Sequence, residues 1–226
     1  MPWKPLVSCL MPTYNRPDFI RAAVSSFLAQ TWEPKELIVL DDGPSIENLL
    51  PQDDRIRYSR APKKLITGDK RNRACALAAG EILCHFDDDD WSDPERIAFQ
   101  ISILEGSRKP VTGFGTLYFW DIVNLQAKIY RSQITGYICG TTMMFRKDWW
   151  EQHPFPSKQK ASDNAVIYPA AAANQVACSH QDHYMVARLH DRHTSPKYNI
   201  KQLVDKAKLP ERFWANEDER TATCHA

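Results

Sequence analysis

The run Ile82-Leu83-Cys84-His85-Phe86-Asp87-Asp88-Asp89-Asp90 joins a short apolar segment directly to four consecutive carboxylates. A brief apolar run of this kind reads as a buried strand. Alternate residues at a strand end face the same way, so Asp87 is expected to pair with Asp89 and Asp88 with Asp90, ~6–7 Å apart. At an effective dielectric of about 20, each such pair repels by roughly 2–3 kcal/mol. A divalent cation offsets that cost, and ligands that are all oxygen favour magnesium or manganese over zinc. The alternative is a solvated acidic loop in which Asp88 or Asp90 caps the following helix.

Outward from this run, strand-like and helix-like segments alternate through the first ~105 residues. Leu6–Met11 and Glu36–Leu40 are apolar strand candidates, and Ile56–Ser59 is a shorter third. Phe19, Ile20, Ala23, Val24, Phe27 and Leu28 recur at helical spacing after Pro17, a residue suited to a first turn. Thr67 is expected to cap a helix that Gly80 stops, and Asp93-Pro94 to open another carrying Ile97, Ile101 and Leu104. This alternation predicts an α/β fold with an open, mostly parallel sheet and helices on both faces. Such sheets bind ligands at the carboxyl ends of their strands. Three polar clusters fall there: Pro12 to Arg16, Asp41 to Gly43 and Asp87 to Asp90.

After residue ~111 the pattern is mixed. Val111–Tyr118, Ala127–Tyr130 and Tyr184–Leu189 read as strands, and Arg146–His153 and Asp163–Ala173 as helices, the last kinked or shortened by Pro169. The expected division is a nucleotide-binding half at 1–108, an acceptor-binding half at 109–200 and a charged peripheral tail at 201–226.

Composition narrows the class. Hydrophobic residues make up 43%, enough for a core, and 29 basic against 28 acidic side chains leave a formal charge of +1. No bulk field draws the chain to nucleic acid or a membrane. Six cysteines form no C-x-x-C pair and lie mostly in apolar runs, so buried free thiols in a reducing cytoplasm are expected. The N-terminus shows no signal region, and no stretch approaches the ~18 apolar residues of a membrane span.

Four stretches in order then resemble family 2 glycosyltransferases of the GT-A fold: Pro12-Thr13-Tyr14-Asn15-Arg16, Leu40-Asp41-Asp42-Gly43-Pro44, Gly68-Asp69-Lys70-Arg71-Asn72 and Phe86-Asp87-Asp88-Asp89-Asp90-Trp91. The resemblance implies a Rossmann-like sheet plus a smaller mixed region. It also implies an inverting transfer of sugar from a nucleotide diphosphate donor, with uridine diphosphate the first choice, to an acceptor hydroxyl. In that frame Pro12, Thr13, Tyr14, Asn15 and Asp41 form the base pocket, and Lys70 and Arg71 lie near the nucleotide. Asp88 reaches the ribose, and Asp89, aided by Asp87, holds Mn2+ or Mg2+. Asp42 is the first choice for the turn before Gly43, and Asp41 as that turn residue stays open.

The second half matches less closely. Ser162-Asp163-Asn164 after Pro154-Phe155-Pro156 places Asp163 as the catalytic base, with serine where the family has glutamate. Asp163 as a plain helix cap stays open, Asp182 is the next candidate for the base, and Asp148 and Asp191 follow. His190, in His190-Asp191-Arg192-His193-Thr194-Ser195, is implied to complete the metal shell or touch the diphosphate; an ordinary loop histidine is the alternative. The pairs His180/His183 and His190/His193 match zinc spacing without a cysteine pair beside them. Gly140–Met144 lies under the acceptor by the same resemblance, and Trp149 and Trp150 either stack on a sugar or pack on the sheet. The acceptor is expected to be a glycan or lipid-linked sugar. The basic stretch Lys63, Lys64, Lys70, Arg71 and Arg73 leaves a modified nucleic-acid base open. A nucleotidyltransferase and a non-catalytic nucleotide-sugar-binding relative are the competing readings.

Overall fold

The computed structural model describes residues 3–192, 200 and 202–224. Its first half alternates as the periodicity predicts: β1 (Val7–Thr13), α1 (Pro17–Leu28), β2 (Lys35–Asp41), β3 (Ile56–Arg60), α2 (Thr67–Leu77), β4 (Ile82–His85), β5 (Trp91–Ser92) and α3 (Arg96–Ser107). There follow β6 (Val111–Phe114), β7 (Thr116–Asp121), β8 (Gln126–Arg131), β9 (Met144–Arg146), α4 (Lys147–Gln152), α5 (Ser162–Ala172), β10 (Val176–Ser179), β11 (Met185–Leu189), β12 (Gln202–Val204) and α6 (Glu211–Cys224).

A seven-stranded sheet runs β10-β6-β9-β4-β1-β2-β3. Its β4-β1-β2-β3 part is parallel, and β9 is antiparallel to both β4 and β6. The strands are apolar on both faces because helices cover both. Val7, Cys9 and Met11 of β1 pack with Ile20 and Phe27 of α1 and Ile97 and Ile101 of α3. Leu10 of the same strand joins Ala74 and Cys75 of α2 and Ile167 and Ala170 of α5 on the other side. That is the period-2 alternation of a strand between two helical layers. A second sheet, β12-β8-β7-β11-β5, packs the remainder.

Several expectations are corrected. The segment 111–118 is two strands, because the chain leaves the first sheet at Gly115 and enters the second. A Cβ on Gly115 would stand 2.6 Å from the Cys178 Sγ, so the corner needs glycine. The first sheet recruits β6, β9 and β10, so a boundary near residue 108 does not separate two sheets. Thr67 begins α2 without capping it; the Gly68 N–H donates to the Lys158 carbonyl at 3.1 Å, and the helix ends at Leu77, before Gly80. Pro169 lies within α5 without ending it.

The largest correction concerns the segment 201–226. It is not peripheral, since β12 pairs with β8 and α6 packs on α1. Phe213 is fully buried, with its ring 5.8 Å from that of Trp91. Charged residues at exposed positions mask this apolar stripe in the sequence. Phe213→Ala is therefore expected to cost about 3–5 kcal/mol, measured by urea denaturation. A loss below ~1 kcal/mol would show that the helix stands outside the cooperative core.

Candidate donor and metal site

Strand order reverses direction between β1 and β4, so the loops after these strands diverge and leave a crevice at their carboxyl ends. The loop after β1 supplies Tyr14, Asn15 and Arg16; the turn after β4 supplies the four aspartates.

Those aspartates do not continue the strand. Pairing of β4 with β9 ends at Cys84, and the Asp90 N–H turns back toward the Asp87 carbonyl at 3.5 Å. The expected pairing of Asp87 with Asp89 holds, while that of Asp88 with Asp90 is corrected. Asp87, Asp89 and Asp90 converge, each offering an oxygen within 4.8 Å of the others, while Asp88 points into the protein and is fully buried. This all-oxygen donor set fits magnesium or manganese.

Protein cations share the neutralisation expected of a metal. Arg16 forks between Asp88, at 3.0 Å, and Asp89. Arg71 lies 3.3 Å from Asp87 and 2.8 Å from Asp163. Burial pushes the Asp87 carboxyl up, but Arg71, His85 and the Thr141 hydroxyl together outweigh it and the net shift is downward. Burial dominates at Asp88, whose pKa rises to about 7 despite Arg16. Arg16 closes the Pro12–Arg16 motif, yet no spacing rule pairs it with residues 88 and 89; only the sheet order does.

His190 lies where the resemblance implies, beside Asp89. Its Nδ1 accepts the Arg192 N–H at 3.0 Å, so the ring proton is on Nε2, which donates to Asp89 at 3.0 Å. With that nitrogen protonated, His190 supports Asp89, and the same Nε2 is the atom that would turn to a cation held there. Asp191 is exposed, and His193, Thr194 and Ser195 lie outside the described residues.

Of the two acidic residues at the end of β2, Asp41 and not Asp42 makes the turn before Gly43. Asp41 accepts the Gly43 N–H at 2.8 Å while also accepting the Tyr58 hydroxyl at 2.8 Å. Asp42 accepts the Leu65 N–H at 2.7 Å and pairs with Lys70. Lys70 also donates to the Thr13 carbonyl at 3.1 Å. Burial pulls its pKa down more than Asp42 restores it. Lys70 and Arg71 are thus buried and paired, while Lys63, Lys64 and Arg73 are exposed. A cavity of about 460 Å³ opens beside Tyr14, lined further by Asn15, Arg16, Lys64, Lys160 and Arg192. The Lys64 ammonium stands 3.8 Å over the Tyr14 ring.

Asp163 occupies the first turn of α5 and meets Gly140, where a Cβ would come within 2.6 Å of its Oδ2. Arg71 links it to Asp87. Asp182 hydrogen-bonds Tyr118 instead, and Asp148 lies at the start of α4. Trp149 donates to Gln175 at 3.0 Å and Trp150 to Asn72 at 3.0 Å, so both tryptophans pack. Asn72 also clasps the backbone N–H and carbonyl of Phe155, tying α2 to the segment that leads to Asp163. His180 contacts the Thr116 hydroxyl at 3.2 Å and the His183 ring lies against Tyr184. Among the described residues, no group of three candidate ligands includes these histidines.

His85 lies beneath the crevice. Its Nδ1 donates to the Gly140 carbonyl at 2.7 Å, and its Nε2 is buried without a hydrogen-bond partner. Burial, aided by Arg71, lowers its pKa to about 4. The folded state therefore rejects a proton that the unfolded chain, at about 6.5, accepts. Stability is full above pH ~6.5 and falls as pH drops toward 4, by at most about 3 kcal/mol from this group. His85→Asn is expected to flatten that part of the stability–pH curve; an unchanged slope would assign the loss to other groups.

With this geometry established, comparison with known proteins is specific. Residues 8–155 match the sequence profile of Glycosyl transferase family 2. A UDP-Glc:alpha-D-GlcNAc-diphosphoundecaprenol beta-1,3-glucosyltransferase of Escherichia coli is 33% identical over 106 residues, 44% of this chain and 41% of that protein. The chain spans about half the length of the curated relatives it matches. Staphylococcus aureus TarS 1–349 in complex with UDP-GlcNAc superposes with a TM-score of 0.68 at 18% identity, covering 83% of this chain and 60% of that one. A mannosyltransferase of Pyrobaculum calidifontis in complex with GDP-Man and Mn2+ gives 0.67 at 16% identity, covering 85% and 59%. No helix among the described residues is long and apolar enough to cross a membrane. The fold is GT-A, and the chain belongs to glycosyl transferase family 2.

Proposed function

We propose that the chain transfers a sugar from a nucleoside diphosphate sugar, with a uridine nucleotide as first choice, to an acceptor hydroxyl with inversion at the anomeric carbon. The observation that carries this reading is the convergence of Asp87, Asp89 and Asp90 at the crevice, with Arg71 joining Asp87 to Asp163 across it.

Asp89, with Asp87 and Asp90, would hold Mn2+ or Mg2+, which supplies charge stabilisation for a leaving diphosphate. Pro12, Thr13, Tyr14 and Asn15 present one wall of the donor pocket, with Asp41 behind it fixing the turn. Tyr14 offers a ring face, and Lys64, Lys160 and Arg192 place positive charge around the cavity for an anionic donor. Asp88, expected to reach the ribose, anchors Arg16 at the edge of the crevice. Asp163 takes the proton from the acceptor hydroxyl as its oxygen bonds to the anomeric carbon and the bond to the diphosphate oxygen breaks. Gly140 leaves room for that carboxylate, and Arg71 orients it.

The acceptor is a glycan or lipid-linked sugar, a reading supported by the diphosphoundecaprenol acceptor in the name of the Escherichia coli relative. The four buried free cysteines suit the reducing cytoplasm.

A screen of nucleotide sugars, measuring nucleoside diphosphate released with and without manganese, tests the reading. Release that requires both metal and a saccharide acceptor supports it. Pyrophosphate formed from a nucleoside triphosphate and a sugar phosphate would replace it with nucleotidyl transfer, and nucleotide binding without turnover would leave a binding protein.

A further inference from the structure

The segment expected to be peripheral reaches the acidic turn through one buried side chain. Arg188, in β11, is 2% exposed. Its backbone N–H donates to Asp90 Oδ1 at 3.2 Å, and its Nη1 donates to the Asp89 carbonyl at 3.1 Å. On the other side its Nε donates to Glu217 at 2.6 Å and its Nη2 to Asn216 Oδ1 at 3.0 Å, both on α6. Asn216 in turn donates to the Ala22 carbonyl of α1 at 3.3 Å. The Phe213 ring lies 5.5 Å from the guanidinium.

Resting on the metal reading above, we infer that Arg188 is a positioning residue for the metal-holding turn, and that Glu217 of α6 tunes the turn's cation affinity. The guanidinium holds the Asp89 carbonyl, and the backbone N–H of the same residue holds Asp90 Oδ1. The guanidinium also brings a permanent positive charge to the edge of the carboxylate group, which by itself would oppose a divalent cation. Glu217 neutralises that charge in a buried setting, where a lost partner is felt strongly. Removing the Glu217 charge while keeping its shape leaves the Arg188 cation facing the site uncompensated.

The test is manganese titration of the intact, metal-free chain, followed by electron paramagnetic resonance, alone and with uridine diphosphate. In Glu217→Gln the manganese dissociation constant is expected to rise about three- to tenfold, with the increase shrinking at high salt. The melting temperature, followed in parallel, separates this effect from a loss of fold. Wild-type affinity in folded Glu217→Gln overturns the inference. Should that variant not fold, Arg188→Lys serves: it keeps the charge but cannot span both sides, and unchanged manganese affinity there overturns the inference equally. If the wild-type chain binds no manganese in either titration, the metal reading itself fails, an outcome distinct from a variant that binds like wild type.

Discussion

Asp89→Ala is expected to abolish manganese-dependent turnover, with a fall of about 10²–10⁴ in rate, the range that several kcal/mol of lost charge stabilisation represents. Asp89 is the carboxylate on which the site converges. It belongs to the group of three whose oxygens lie within 4.8 Å of one another, and both Arg16 and His190 are placed to hold it. Alanine leaves Asp87 and Asp90, but Asp90 Oδ2 already accepts the Thr141 hydroxyl and Oδ1 the Arg188 N–H. Two carboxylates so engaged make a poor substitute for three. Arg16 retains Asp88 as partner, so the fold should survive, and an unchanged melting temperature is part of the expected result. Turnover that stays manganese-dependent and within about threefold of wild type would remove Asp89 from the metal assignment.

Asp163→Asn is expected to leave donor binding unaltered while transfer falls by about 10²–10⁴, the usual worth of a positioned general base. Asparagine matches aspartate in size, fits against Gly140 and keeps an oxygen for Arg71, but it cannot accept the acceptor's proton. The split between intact donor affinity and lost transfer distinguishes this from damage to the pocket. Arg71 makes the assignment specific, because it ties Asp163 to Asp87 across the crevice, whereas Asp182 is engaged with Tyr118. Normal transfer by Asp163→Asn, with collapse in Asp182→Asn, would move the base to the β10–β11 loop.

The elements of the first half are legible in the chain because burial on both faces writes itself into local pattern. Leu6–Met11, Glu36–Leu40 and Ile82–Phe86 are apolar for the same reason that they lie between helical layers. Candidate chemistry is legible where a motif is contiguous. Four carboxylates in succession repel wherever they are placed, so their presence alone demands a positive partner. What local pattern cannot carry is which partner answers. Arg16 precedes Asp89 by 73 residues in the chain, and only the β4-β1 neighbour relation unites them.

The same limit explains the features that the folded chain corrects. Gly115 is an ordinary glycine until its strand changes sheets beside Cys178. Residues 211–217 read as charged and peripheral, because Glu217 counts as a surface charge until Arg188 lies beneath it. The His190 motif locates the ring, but its tautomer follows from one backbone N–H, that of Arg192.

Hydrophobic period and charge density are local properties. The alternating layers, the crevice at the strand ends and the acidic run within it are therefore written in the order of the residues. Which aspartates converge, which cations answer them and that α6 braces the site are matters of the folded chain. Each is a contact between distant segments, and its energy depends on separation and burial, which exist only after folding.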